Sequence, residues 1–116
     1  MNRLLAISLA ICSFSVVSVE RLTYEEAQIK INKCEEVALI ASSMLAAATV
    51  DNIPKEEMET KLSRFEASSE KERKAVNFIK IVMAHAYRTA KLGSTSGFTE
   101  FYYDTCLNNF DKFKNL

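Results

Sequence analysis

The sequence predicts an all-α protein, a compact bundle of about four helices linked by one disulfide. Apolar residues recur at steps of three and four along most of the chain, which is the spacing of one face of a helix. Only two glycines and one proline interrupt the 116 residues, so we expect few and long elements. Two cysteines remain once an N-terminal leader is removed, and two cysteines in an exported chain usually form one bridge.

Residues 1–18 have the pattern of a cleaved signal peptide. Arg3 supplies a positive charge, and the 15 residues after it are uncharged and mostly apolar. This run is shorter than the ~20 apolar residues that a membrane-spanning helix needs. Small residues at Val16 and Ser18 place the cleavage after Ser18. Two alternatives stay open, a lipoprotein anchored through Cys12 of the "LAIC" segment and a retained signal anchor.

Cleavage would leave a single helical domain, residues 19–116, with 14 basic and 15 acidic side chains and a net charge of −1. A charge so close to zero argues against a nucleic-acid partner, which needs a basic face, and against binding to an anionic membrane surface. We expect a periplasmic or secreted protein that is not inserted in a membrane after cleavage. In such an oxidising compartment we expect Cys34 and Cys106 to form an internal disulfide. Two buried thiols, or a bridge between subunits, are the alternatives.

The capping pattern Thr23–Glu26 predicts the start of the first helix. An apolar stripe follows it, and from Val37 to Val50 the other faces become apolar as well, so we expect this half to be nearly surrounded by protein. The stripe consists of Ala27, Ile31, Cys34, Ala38, Ala41, Leu45 and Ala48.

Two further helices are predicted after Pro54. The first is short and mostly solvated, ends near Ala67, and has a thin stripe of Met58, Leu62 and Phe65 with a favourable Glu57–Lys61 pair. A second capping box, Ser69 and Glu72, opens the next helix, which we expect to end at Gly93. Its broad apolar stripe comprises Val76, Phe78, Ile79, Ile81, Val82, Met83, Ala86, Tyr87 and Ala90.

The last predicted helix follows the loop "GSTSG" and carries an aromatic stripe. Its apolar and aromatic positions are Phe98, Phe101, Tyr102, Thr105, Phe110 and Phe113, with Cys106 at the edge. A stripe with this spacing is typical of packing against a core. A bridge from Cys106 to Cys34 would therefore tie the last helix to the first.

No pattern of residues indicates an enzyme, a metal site or a cofactor. His85 is the only histidine, and its neighbours favour a packed or partly exposed side chain. The centre of "GSTSG" is Thr95 and no strand precedes it, so it lacks the geometry of a nucleophile elbow. Adjacent glutamates such as Glu25 and Glu26 point in different directions on a helix and indicate solvated surface charge.

The segment "FIKIVMAHAYRTAKLGSTSGFTEFYYDTCLNNF" resembles the C-terminal part of periplasmic immunity proteins that neutralise type VI secretion amidases. The resemblance lies in the order of three elements: a helix that ends in a tyrosine, a loop, and an aromatic helix that contains Cys-Leu. More broadly, the chain is similar to small exported helical proteins of bacteria and phages with two cysteines and no known function. The resemblance implies a stoichiometric protein inhibitor, although the Ala-rich segment "MLAAATV" departs from the immunity proteins and no partner-contacting residue is transferred.

These observations give one leading hypothesis and two alternatives. The leading one is an exported helical binding protein, immunity-like or an inhibitor of a cell-envelope-acting enzyme, whose partner is another protein. We expect that partner to contact the connection between the last two helices, where the candidate residues are Leu92, Ser94, Thr95, Ser96 and Phe98. The alternatives are a small-ligand carrier, with a cavity between the Ala-rich helix and the aromatic helix, and an acid-activated periplasmic chaperone.

Overall fold

The chain folds into helices joined by short connections. The computed structural model describes the helices of residues 2–116 and the side chains of residues 23–116, so the predicted signal peptide and Cys12 lie outside the described side chains. Residues 2–116 form five α-helices: α1 (Asn2–Thr49), α2 (Lys55–Ser63), α3 (Glu70–Leu92), α4 (Phe98–Asn108) and α5 (Phe110–Phe113). The prediction of an all-α bundle with about four main helices is confirmed.

The backbone of α1 is the centre of the bundle, because α3 and α4 both approach it closely and approach each other much less. The alanines of α1 and α3 permit this approach: Ala41 and Ala86 are both fully buried. Aromatic side chains fill the wider gap between α3 and α4. The buried cluster consists of Cys34, Val37, Ala41, Val82, Ala86, Phe98, Tyr102 and Cys106.

The contacts also give the direction of each helix. Val37 of α1 and Phe78 of α3 line the same groove, while further along α3 the Tyr87 hydroxyl donates a hydrogen bond of 2.6 Å to the carbonyl of Ile53, which follows the end of α1. These contacts make α1 and α3 parallel. Helix α4 runs in the opposite direction, because Phe98 at its start packs on His85 of α3 while Tyr102, one turn later, also packs on Phe78, which lies earlier in α3.

Helix α1 differs from the prediction in two ways. Thr23 lies inside α1, so the expected start at Thr23 is wrong; no glycine or proline precedes it to end a helix, and the capping pattern is only local. Leu39 and Val50 are 68% and 74% exposed, so the expectation that residues 37–50 are surrounded by protein is also wrong. Only one side of this apolar segment faces the core.

Helix α2 lies at the edge of the bundle and buries none of its residues completely. It begins after Pro54 and ends at Ser63, four residues before the predicted end at Ala67, so Phe65 lies beyond it. The predicted Glu57–Lys61 ion pair is present at 3.7 Å. Both side chains of this pair are exposed, and such pairs contribute only a few tenths of a kcal/mol, about 0.3–0.5.

Both ends of α3 agree with the sequence. The Ser69 hydroxyl accepts a hydrogen bond from the Glu72 N–H at 3.1 Å, and Gly93 ends the helix in the left-handed conformation with φ 74°. The Glu72 carboxylate accepts hydrogen bonds from the N–H and the hydroxyl of Ser68, both at 2.7 Å, one residue earlier than a standard capping box. These bonds lower the pKa of Glu72, the backbone bond more than the side-chain bond.

The predicted last helix is divided in two at Asn109. This residue leaves helical geometry with φ −131° and ψ 40°, and its side-chain amide donates to the Thr105 carbonyl at 3.0 Å. An asparagine can replace helix hydrogen bonds with local ones, which favours a helix end at this position. The short helix α5 then turns Phe113 against Phe78, with ring centres 5.6 Å apart.

The disulfide joins Cys34 of α1 to Cys106 of α4, as predicted. The two Cα atoms are 5.5 Å apart, and both cysteines are fully buried. Cys106 therefore lies in the middle of the α1–α4 contact and not at its edge. The bridge fixes the position of α4, and with it the surface that α3 and α4 form together.

Candidate functional site on the outer face of α3 and α4

The loop between α3 and α4 is bounded by two glycines in the left-handed conformation, Gly93 at φ 74° and Gly97 at φ 79°. Ser94 and Ser96 are exposed and Thr95 is half-buried. Leu92 is 77% exposed. The polar loop with an apolar neighbour that the sequence predicts is therefore present as a surface feature, and partner binding by it stays a prediction.

Phe98 lies in the core, as its place on the aromatic stripe predicts, and this position does not fit its other expected role as a partner contact. Its side chain is only 5% exposed and lies against the rings of His85 and Tyr102, with centres 4.9 and 5.2 Å away. A ring in that position is part of the core and does not offer an apolar anchor to a partner. Of the two apolar residues among the candidates for partner contact, Leu92 and Phe98, only Leu92 is exposed.

The side chain of His85, a residue of α3, packs against aromatic rings of α4. The rings of Phe98, Phe101 and Tyr102 have their centres 4.9, 5.9 and 5.6 Å from the His85 ring. The sequence predicted a packed or partly exposed histidine, and His85 is half-buried. Its ring neighbours come from α4, which the pattern along α3 alone did not indicate.

A hydrogen bond of 2.8 Å joins His85 Nδ1 to the Tyr102 hydroxyl. Tyr102 is 6% exposed, and burial raises the pKa of its phenol, while the positive charge of Arg88 acts in the opposite direction. The raised pKa keeps the hydroxyl protonated in ordinary solutions. The bond therefore fixes the orientation of the His85 ring relative to α4.

Three large apolar side chains are exposed around His85. Ile81 precedes it by one helical turn and is 64% exposed, and Phe101 touches it from α4 and is 54% exposed. Leu92 lies two turns further along the same side of α3. We call the surface formed by Ile81, His85, Arg88, Leu92 and Phe101 the outer α3–α4 face.

The sequence placed Ile81 and Phe101 on inward stripes, and both of these expectations are wrong. Each residue follows the apolar spacing of its helix but lies at the edge of the stripe, where α3 and α4 separate. The exposed ring of Phe101 next to the lone His85 is the signal that could have indicated this face. To recognise that signal, one must know that α3 and α4 are neighbours.

The small-ligand carrier hypothesis predicts a binding cavity elsewhere in the bundle. The carrier hypothesis needs a cavity between α1 and α4, where Ala41, Phe98 and Tyr102 belong to one packed cluster. An apolar groove of about 270 Å³ lies between α2 and α3, lined by Met58, Lys61, Leu62, Phe65, Glu72, Ala75, Val76 and Ile79. Among residues 23–116, no three histidine, cysteine, aspartate or glutamate side chains come close enough together to hold a metal ion.

Within the described part of the chain, no helix is both long enough and apolar enough to cross a bilayer. Comparisons with known protein families, with curated proteins and with solved structures find no match to this chain.

Proposed function

We propose that this protein is an exported helical binding protein that acts on another protein, either as an immunity protein or as an inhibitor of a cell-envelope-acting enzyme. The observation that carries the proposal is the outer α3–α4 face, where three large apolar side chains are more than half exposed around His85. Single exposed apolar residues are common, but several on one face are typical of a surface that contacts a partner.

The construction of this face supports a role in tight binding. Phe101 stands on the ring of the half-buried His85, which is itself hydrogen-bonded to Tyr102. Aromatic and arginine side chains on a rigid base contribute most of the energy in protein interfaces. A surface that is already ordered before binding loses less conformational entropy when the complex forms.

Export is supported by two independent features. The pattern of residues 1–18 is that of a signal peptide, and the Cys34–Cys106 disulfide is of a kind that persists in oxidising compartments. We therefore propose a periplasmic or secreted location. The intact mass of the purified protein tests this point, since cleavage after Ser18 gives a chain that begins at Val19 and contains one disulfide.

The loop Ser94–Ser96 would contribute the polar border of the interface. Its hydroxyls lie beside Leu92, at the end of the apolar face. A short polar loop in this position can enter the cleft of an enzyme while the apolar face rests on the rim. This arrangement fits a stoichiometric inhibitor, which covers a site and is not consumed.

The experiment is native mass spectrometry of the tagged protein, purified from the envelope and the extracellular fractions of its own host. We expect a complex of fixed stoichiometry with one other protein, which the variant Phe101→Ser weakens at least tenfold. The matched control is Leu39→Ser, which changes a residue of similar exposure on the side of α1 that points away from the core. Recovery of monomer alone would contradict the proposal, and a bound small molecule would favour the carrier.

A further inference from the structure

The exposed side of α3 carries a positive charge that the structure does not neutralise. From Arg73 to Leu92 the chain has five basic residues and no acidic one. Arg73 is paired with Glu70 on its own helix. No ion pair within residues 23–116 involves the other four, which are Lys74, Lys80, Arg88 and Lys91.

Part of this charge lies in line with the apolar residues of the outer α3–α4 face. Lys74, Ile81 and Arg88 are separated by seven residues each, and Leu92 follows Arg88 by four, so all of them lie along one side of α3. Lys91 lies beside this line. The resulting strip alternates positive and apolar side chains over nearly the whole helix.

Acidic residues border the strip on both sides. On the α2 side, the negative charges of Glu57 and Glu56 act on Tyr87 of α3 and contribute to its raised pKa, after burial. On the other side, Glu100 and Asp104 are exposed on α4. The chain from residue 19 to 116 has a net charge of −1, so the strip is a local exception on an otherwise negative protein.

We propose that the partner binds this strip with a narrow acidic surface, an edge or helix that places carboxylates opposite Arg88 and Lys91 and an apolar side chain opposite Ile81. The inference rests on the proposed function and names the chemistry of the partner at the same site. Charge complementarity of this kind mainly sets the association rate and the choice of partner.

A flat anionic membrane fits the strip less well than a protein does. Recruitment to anionic lipid uses dense clusters of about four to eight basic residues, whereas this strip carries Lys74, Arg88 and Lys91. Here a bilayer that contacts Arg88 would also approach Glu100 and Asp104 on α4, and their like charges would oppose the contact. A protein edge can place its carboxylates opposite Arg88 and Lys91 and its apolar side chains over Ile81 and Phe101, and so keep its own negative charge away from Glu100 and Asp104.

The test is site-specific photo-crosslinking in the native host, with p-benzoylphenylalanine in place of Ile81 or, as the matched control, in place of Leu39. These two side chains are 64% and 68% exposed, but Glu35 and Glu36 lie next to the second. We expect a protein adduct at position 81, through a segment rich in aspartate and glutamate, and none at position 39. Arg88→Glu with Lys91→Glu should reduce that adduct at least tenfold, whereas Lys55→Glu with Lys112→Glu should leave it within twofold.

The possible results separate this inference from the proposed function. An adduct at position 39 and not at 81, an adduct unaffected by the reversed charges on α3, or an adduct with a phospholipid would overturn the strip as the docking site. Absence of a protein adduct at positions 81 and 39, and at a third position, Phe101, substituted in the same way, would overturn the proposed function itself. Vesicles of phosphatidylcholine with 30% phosphatidylserine provide a separate check, because co-sedimentation that Arg88→Glu abolishes would assign the strip to lipid.

Discussion

Removal of the disulfide should cost a large part of the stability of this protein. The bridge joins residues 72 positions apart and closes a loop of 73 residues. A chain that is crosslinked across such a loop has fewer unfolded conformations, and the chain-entropy treatment gives a stabilisation of about 4 kcal/mol. The free energy of unfolding of most domains is about 5–15 kcal/mol, so the uncrosslinked protein should be marginal.

The assay is guanidinium unfolding of residues 19–116, followed by circular dichroism, on three forms of the protein. These are the oxidised protein, the same protein reduced with a phosphine, and the double variant Cys34→Ala with Cys106→Ala. The reduced protein retains both buried sulfur atoms, so its difference from the oxidised form measures the loss of the crosslink together with the separation of two buried thiols, and no side chain is lost. Its difference from the double variant measures the lost packing of two fully buried atoms.

We expect the reduced protein to be less stable than the oxidised one by about 4 kcal/mol, with a decrease in melting temperature of about 15 °C or more. The double variant should lose a further, smaller amount. A difference below about 1 kcal/mol between oxidised and reduced protein would refute the reasoning, because it would mean that the unfolded chain already keeps α1 and α4 together.

Three further outcomes are expected. Gly93→Ala should lower the free energy of unfolding by about 1 kcal/mol, because φ 74° strains any residue with a Cβ. The strain comes from the backbone, since no atom lies within 4 Å of a Cβ placed at this position. An unchanged melting temperature would argue against the left-handed cap. Glu72→Gln should be less stable than the parent protein above pH 5. The difference in stability should disappear as the pH falls through the lowered pKa of Glu72, because stability from a lowered carboxyl pKa is lost on protonation. Thermal melts from pH 3 to 7 measure this, and a pH-independent difference would show that the Ser68 bonds do not matter. Tyr102→Phe should cost about 1 kcal/mol and free the His85 ring, seen as changed histidine chemical shifts in NMR spectra; unchanged shifts would show that the rings alone hold it.

The sequence determined the elements that depend on local residue chemistry. Ser69 and Gly93 mark the ends of α3 because a hydroxyl cap and a left-handed glycine act within one turn. The disulfide was predictable because Cys34 and Cys106 are the only cysteines in residues 19–116, outside the predicted leader. The predicted start of α1 at Thr23 was wrong because the capping pattern there is equally compatible with a helix interior.

The candidate site was harder to predict from the sequence, since it depends on which helices become neighbours. Apolar spacing shows on which side of a helix a residue lies but not how much of that side is covered. Ile81 and Phe101 therefore have core-like spacing and are exposed, while Phe98 lies beside a polar loop and is buried. The hydrogen bond from His85 to Tyr102 joins two helices and has no signature in either one.

The pairing of the first helix with the last also affects the order in which the protein can become stable. Most helical proteins fold through contacts between residues close in the chain, and they fold quickly for that reason. Here the main partner of α1 is α4, whose Cys106 is made 72 residues after Cys34. A growing chain must therefore carry the side of α1 that α4 covers without this cover until α4 has emerged. A chain interrupted before α4 would leave that side of α1 exposed, and we expect it to be cleaved by proteases more readily than a chain that contains α4.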